Sequence, residues 1–244
     1  MRIENSFIPV HGVGEKTERA LWREGVTHWD AFDPAHVGAK TGKRVASFID
    51  EARDRLDAGD AHFFGERFPN RELWRCYENF RSDTVFFDIE TTGLSKTHDD
   101  VTTVSFHRGG DTTTLVRGDD LTRENLRREL DGSLLVTFNG SSFDVPFLER
   151  SFGLDIDTPH LDAMHAARRV GLSGGLKAVE RQVGVERDRP DISGRDAVRL
   201  WHEHERGVDG ALDTLVSYNR EDAVHLRDLM DTVTERLHAE TFVE

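Results

Sequence analysis

The stretch "VFFDIETTGL", residues 85–94, decides how this chain is read. An apolar and aromatic run leads straight into two carboxylates, Asp88 and Glu90, and then into a polar turn. A short run of this kind reads as a strand. Side chains alternate between the two faces of a strand, so Asp88 and Glu90 share one face. Buried carboxylates are costly unless something positive pairs with them. No Lys or Arg lies within the stretch. Two oxygen donors on one strand face can approach a common cation; a solvated strand end is the plainer alternative.

Two further acidic elements favour the cation. "LLVTFNGSSFD" is an apolar strand and a Gly turn, followed by Asp144 at the start of a helix. "SYNREDAVHL" sets Tyr218 and Asp222 four residues apart, on one helix face. Glu221 lies about 100° further round that helix and need not point the same way. Three separated acids, each tied to an ordered apolar context, fit a site for divalent metal. Hard ions such as Mg²⁺ and Mn²⁺ select oxygen ligands.

Around these motifs the chain divides by pattern. Residues 1–58 read as a small helical module, with one helix in "GEKTERALWREG", a Thr cap at Thr27 and a second helix from about Gly42 to Leu56. Residues 59–83, aromatic and irregular, read as a connector that packs on the larger domain. From Thr84 the runs "TVFFDIE", "DVTTVSFHRG", "TTTLVRG" and "SLLVTFNG" read as strands, with a Thr122-capped helix before the last. A short strand "TPHLDAM" and a mostly helical remainder complete the chain, ending in a helix from about Gly210 to Leu237. A three-strand meander and then strand–helix alternation predict an α/β fold over 84–244, a mixed sheet flanked by helices.

Composition sets the outer bounds. The 244 residues allow one large domain and a small one. No apolar run approaches the roughly 18–20 residues of a membrane span, and the N-terminus lacks the pattern of a signal peptide. Cys76 is the single cysteine, which excludes an internal disulfide; it reads as a small core residue in a reducing cytoplasm. The formal charge is −14, with 27 Arg against 5 Lys and 46 Asp plus Glu. So acidic and Lys-poor a balance resembles proteins that work in concentrated salt, where screening removes self-repulsion. It argues against a simple basic nucleic-acid binder without excluding nucleic acid as a partner, because phosphate attraction is weak in high salt.

The set D-I-E-T-T-G-L, N-G-S-S-F-D and Y-N-R-E-D resembles the three exonuclease motifs of the DEDD superfamily on a ribonuclease-H-like fold. "TFNGSSFDVPFLERSF" is similar to the second motif of family B DNA polymerase proofreading domains, and the whole is similar to stand-alone YprB-type domains. Tyr218 four before Asp222 matches the tyrosine branch, DEDDy. The resemblance implies a 3′–5′ exonuclease that uses two divalent metal ions. Asp88 would bridge both ions, Glu90 and Asp222 would complete the water-activating site, Asp144 would hold the second ion, and Tyr218 would orient the attacking water or help deprotonate it. Thr91, Thr92, Leu94, Asn139 and Phe143 become candidate nucleic-acid contacts. For Leu94 and Phe143 the alternative is a core position, and for Asn139 a bond within its own turn. Asp162 reads as a supporting residue, with an additional metal ligand as the alternative, and His160, His165, His202, His204 and His225 read as surface residues.

"VHGVGEKTERALW" is a partial match to a helix-hairpin-helix motif, with Gly12, Gly14, Lys16 and Thr17 placed to meet a phosphate. A Gly-cornered hairpin that only packs on the larger domain is the alternative. Two other functions compete with the exonuclease: an endonuclease on the same fold, and a non-catalytic nucleic-acid-binding scaffold.

Overall fold

The computed structural model describes residues 1–242. Among them five segments form strands, all but the last carrying β-branched residues: β1 (Thr84–Thr91), β2 (Val101–Arg108), β3 (Asp111–Val116), β4 (Leu134–Thr137) and β5 (His160–Asp162). They make one mixed sheet in the order β3-β2-β1-β4-β5. β1, β2 and β3 form an antiparallel meander, while β4 pairs parallel with both β1 and β5. The β2–β3 turn is Gly109-Gly110, with φ of 60° and 104°, values that glycine adopts without Cβ strain.

Helices surround the sheet. Before it come α1 (Glu15–Arg23), α2 (Ala39–Asp57), α3 (Ala61–Arg67) and α4 (Tyr77–Phe80). Within and after it come α5 (Arg123–Glu129), α6 (Asp144–Phe152), α7 (Ala163–Arg169), α8 (Leu176–Val183), α9 (Gly194–Glu205) and α10 (Ala211–Thr241). Thr122 caps α5 as expected, its Oγ1 accepting from the Asn125 N–H at 3.2 Å.

The N-terminal part differs in detail from the sequence reading. The cap expected of Thr27 falls to its neighbour: His28 Nδ1 accepts from the Asp30 N–H and caps a 3-10 turn, Trp29–Ala31. The connector expected to be irregular is largely helical. Asp60 caps α3 through the Phe63 N–H, and a 3-10 stretch, Asn70–Cys76, runs into α4. Adjacent aromatics such as Phe63 and Phe64 give no 3.6-residue rhythm, which hides a helix this short.

Strand alternation sorts the core into two layers. Val85, Phe87 and Ile89 of β1 face Leu126 of α5 and Phe147 and Leu148 of α6. Phe86 of β1, Leu134 and Val136 of β4, and Leu161 of β5 face the other way, into a cluster with Leu226, Leu229, Met230 and Val233 of α10. That second cluster continues without a break into Tyr77, Phe64, Ile49, Trp22, Phe7 and Ile3. The first 83 residues thus form an outer wall on this layer, with Tyr77 against Phe86 of β1 and the 3-10 stretch Asn70–Cys76 against α7 and β5. Cys76 lies buried within this layer.

A buried ion network pins the wall. Arg75 is 0% exposed and donates to Glu18 Oε2 at 2.7 Å, Glu72 Oε2 at 2.8 Å and Ser6 Oγ at 2.8 Å. Glu18 also accepts from the N–H groups of Phe7 and Ile8. Charges this deeply buried persist only when every donor and acceptor is matched, and these are well matched.

Candidate active site

The alternation that buries Phe86 sends Asp88 and Glu90 toward the same side, where α10 crosses the sheet. Asp222, one turn beyond Tyr218 on α10, meets them there. One carboxylate oxygen from each of Asp88, Glu90 and Asp222 lies within 4.8 Å of the other two. Asn219, three residues before Asp222, fixes the register of helix on strand. Its Nδ2 donates to Asp88 Oδ2 at 2.8 Å and to the Asp88 carbonyl at 3.1 Å, while its Oδ1 accepts from Thr103 Oγ1 at 3.0 Å. A shift in ladder register between Glu90 and Thr91 ends the regular pairing just past the acids.

Asp144 arrives from the opposite layer, as the first residue of α6. The preceding turn is tightly built: Asn139 has φ of 66°, and a Cβ on Gly140 would lie 2.1 Å from Thr137 Oγ1. Asp162 holds this turn from β5, accepting from the Asn139 N–H at 2.8 Å and Ser141 Oγ at 2.6 Å, which is the supporting role expected of it. Asp144 is not one of the three mutually close carboxylates, yet its charge is felt by Asp88 and Glu90.

The electrostatics are those of acids crowded out of water. Burial, then the charges of Asp222, Asp144 and Glu90, hold Asp88 well above the ordinary carboxyl range. Glu90 is raised in the same way, by burial and then by Asp222 and Asp144. Burial lifts Asp144 to about 7, against the pull of the N–H groups of Asp144 and Ile89. Burial also lifts Asp222 to about 6, held back by Arg187. Burial and the nearby carboxylates raise Tyr218 as well, so its phenol stays protonated. Asp88 and Glu90 have no ion-pair partner among the described residues. Two buried acids without an ion-pair partner, beside a third that shares Arg187, make an all-oxygen donor set that fits a hard divalent cation.

The other candidate residues lie outside the three-carboxylate cluster. Leu94 is no core residue: it is 85% exposed, on the turn after β1. Thr91 Oγ1 donates to the Gly93 carbonyl, and Thr92 Oγ1 accepts from the Asp100 N–H at 2.9 Å, so both shape that turn. Asn139 Oδ1 accepts from Ser142 Oγ at 2.9 Å, a bond within its own turn. Phe143 packs on Phe147 with ring centroids 5.3 Å apart. At the N-terminus, Gly12 (φ 93°) turns the chain into α1 and Gly14 is its N-cap, with Lys16 and Thr17 in the first turn. Only a 3-10 turn, Ile3–Asn5, precedes these glycines, and the first turn of α1 also carries Glu15 and Glu18.

Sequence reasoning missed several members of the site. Arg187, in the segment between α8 and α9, reaches Asp222 Oδ1 at 2.5 Å and clasps Glu180 of α8 with two nitrogens. Lys177 of α8 sits over the Tyr218 ring, its Nζ 4.8 Å from the centroid. Neither belongs to a motif; "GVERDRPD" reads as a charged surface loop. Two histidines also leave the surface: His160 bonds Thr137 at 2.8 Å, with burial pushing it down to about 4, and His225 lies 3.1 Å from Glu180.

A family model described as the RNase_H superfamily matches residues 85–234. The chain belongs to this superfamily. Among solved structures, one described as the apo form of a nuclease shares 21% identity at a TM-score of 0.50, covering 67% of this chain and 77% of that one. NrnC of Brucella melitensis bound to pGG shares 20% identity at a TM-score of 0.50, over 67% and 78% of the two chains. The family B DNA polymerase of Pyrobaculum calidifontis shares 17% at 0.47, over 64% of this chain and 24% of its own. The two nuclease likenesses support the ribonuclease-H-like fold. No curated protein matches the chain. No described helix is long and apolar enough to cross a membrane.

Proposed function

We propose that this protein is a metal-dependent 3′–5′ exonuclease of the tyrosine branch, hydrolysing phosphodiester bonds of DNA or RNA. The observation that carries the reading is the convergence of Asp88, Glu90 and Asp222 from a strand and a late helix, with Asp144 and Tyr218 beside them. Asp88, Glu90, Asp222 and Asp144 would hold two divalent ions, Mg²⁺ or Mn²⁺. When bound, such ions acidify water and stabilise the leaving oxygen. Asn219 holds Asp88 in its rotamer, leaving the cluster little reorganisation to do. Tyr218, kept protonated, is no base; it orients the attacking water by hydrogen bonding. Leu94, apolar and exposed on the turn after the acids, is placed to wedge against a terminal base. In this reading the N-terminal glycines and Lys16 remain candidate backbone contacts.

The test is digestion of 3′-labelled and 5′-labelled DNA and RNA, including a dinucleotide, with Mn²⁺ at low and molar salt. Stepwise release of mononucleotides from the 3′ end is expected, and Asp222→Asn should abolish it. A defined internal fragment would identify an endonuclease instead, and binding without cleavage a scaffold.

A further inference from the structure

Two buried cationic N–H groups beside the carboxylates make no hydrogen bond among the described residues. Lys177 Nζ is one, lying above the Tyr218 ring. Arg187 Nη1 is the other. The Arg187 side chain is 5% exposed, and its Nε and Nη2 are used on Glu180 and Asp222. The acid facing Nη1, Glu221 Oε2, is 3.7 Å away, beyond bonding distance, and that side chain accepts from the Asp188 N–H at 2.6 Å. The guanidinium carbon is 5.9 Å from the centroid of the same Tyr218 ring. Buried donors are almost always satisfied, and an unsatisfied ammonium or guanidinium N–H is among the costliest exceptions. Like charge keeps a metal ion from being the missing partner. What both groups lack is an anion with several oxygens.

We propose that Lys177 and Arg187 form a phosphate-receiving pair, donating to the non-bridging oxygens of the phosphodiester presented to the carboxylate cluster. This deepens the nuclease reading and rests on it. Glu180 holds Arg187 in place: it fixes the guanidinium from the side away from the free Nη1, and His225 steadies Glu180 in turn. The device meets a difficulty peculiar to this chain. With a formal charge of −14, it cannot draw a polyanion by its general field, so phosphate recognition must be local and desolvated.

The test uses the full chain with Ca²⁺ to hold off turnover, and fluorescence anisotropy of 5′-labelled oligonucleotides in DNA and 2′-O-methyl RNA form. Two versions differ only at the 3′-terminal linkage, a phosphodiester or an uncharged methylphosphonate. The wild type should prefer the phosphodiester by about tenfold or more, as charge-assisted bonds to phosphate imply. Lys177→Met and Arg187→Gln should each bring that preference, read as the ratio of the two affinities within one variant, toward parity. A preference unchanged in both variants overturns the pair, and so does an equal loss for both oligonucleotides, which would mark a structural role. A wild type that binds both versions equally refutes the pair alone; one that binds neither refutes the nuclease reading with it.

Discussion

Replacing Asp144 by Asn probes the cost of the carboxylate cluster without altering its shape. Asp144 is 4% exposed and its carboxyl is raised to about 7, with burial the first cause. In the unfolded chain an Asp titrates near 3.9. Between about pH 5 and pH 7 the folded protein therefore keeps a proton that the unfolded chain has released. Stability then falls as pH rises, by about 1.4 kcal/mol per unit. Over those two units the loss is about 3 kcal/mol, and it levels off above pH 7. The amide that replaces this carboxyl has no such proton to lose and can still accept an N–H bond. In the metal-free protein, Asp144→Asn should gain about 3 kcal/mol on the wild type between pH 5 and pH 8, or roughly 6–12 °C in Tm for a chain this long. The pH-dependent contribution of His160, pushed down to about 4, is common to both proteins and cancels in the difference. Differential scanning fluorimetry in EDTA at half-unit pH intervals would show it. A Tm difference that stays flat from pH 5 to pH 8, or that moves in favour of the wild type, would refute the claim that this acid is held protonated by burial.

Other parts of the molecule give three further outcomes. At pH 8, Mg²⁺ or Mn²⁺ at about a hundred times its Kd should stabilise the wild type by about 3 kcal/mol, and Asp88→Ala should abolish that gain in Tm. Leu94→Ala, at a site 85% exposed, should change stability by no more than about 0.5 kcal/mol in urea unfolding while raising KM for oligonucleotides several-fold. Arg75→Met would strand Glu18, 1% exposed, and leave Glu72 to Arg71 and Arg169, and should cost about 3–5 kcal/mol by urea unfolding.

What could be read from the sequence was whatever repeats at short range. The first four strands announced themselves through β-branched runs and glycines, and Asp88, Glu90, Tyr218 and Asp222 through spacings of two and four. Helix ends set by a single side chain were harder: Thr122 was legible, while His28 took the cap that the residue type of Thr27 suggests. Lys177, Glu180 and Arg187 escaped because their meaning is tertiary. Arg187 follows the end of α8 by four residues and finds Asp222 thirty-five residues later, a pairing no periodicity encodes. The turn after β4 shows the same limit. Asn139 is a polar turn residue on paper, but its bond to Ser142 depends on Asp162 arriving from β5 to set the loop.

Removing the residues before Thr84 would spare every acid of the cluster and still fail to yield a free-standing enzyme. The sheet would keep α10 over it, but Phe86 would lose Tyr77 and the outer flank of this layer would lose Trp22, Phe64 and their neighbours, leaving apolar side chains bare to water. Such a fragment should aggregate rather than cut. For protein engineering, the smallest working unit of this chain is therefore drawn by its packing, and a catalytic cassette cannot be lifted out at the point where its motifs begin.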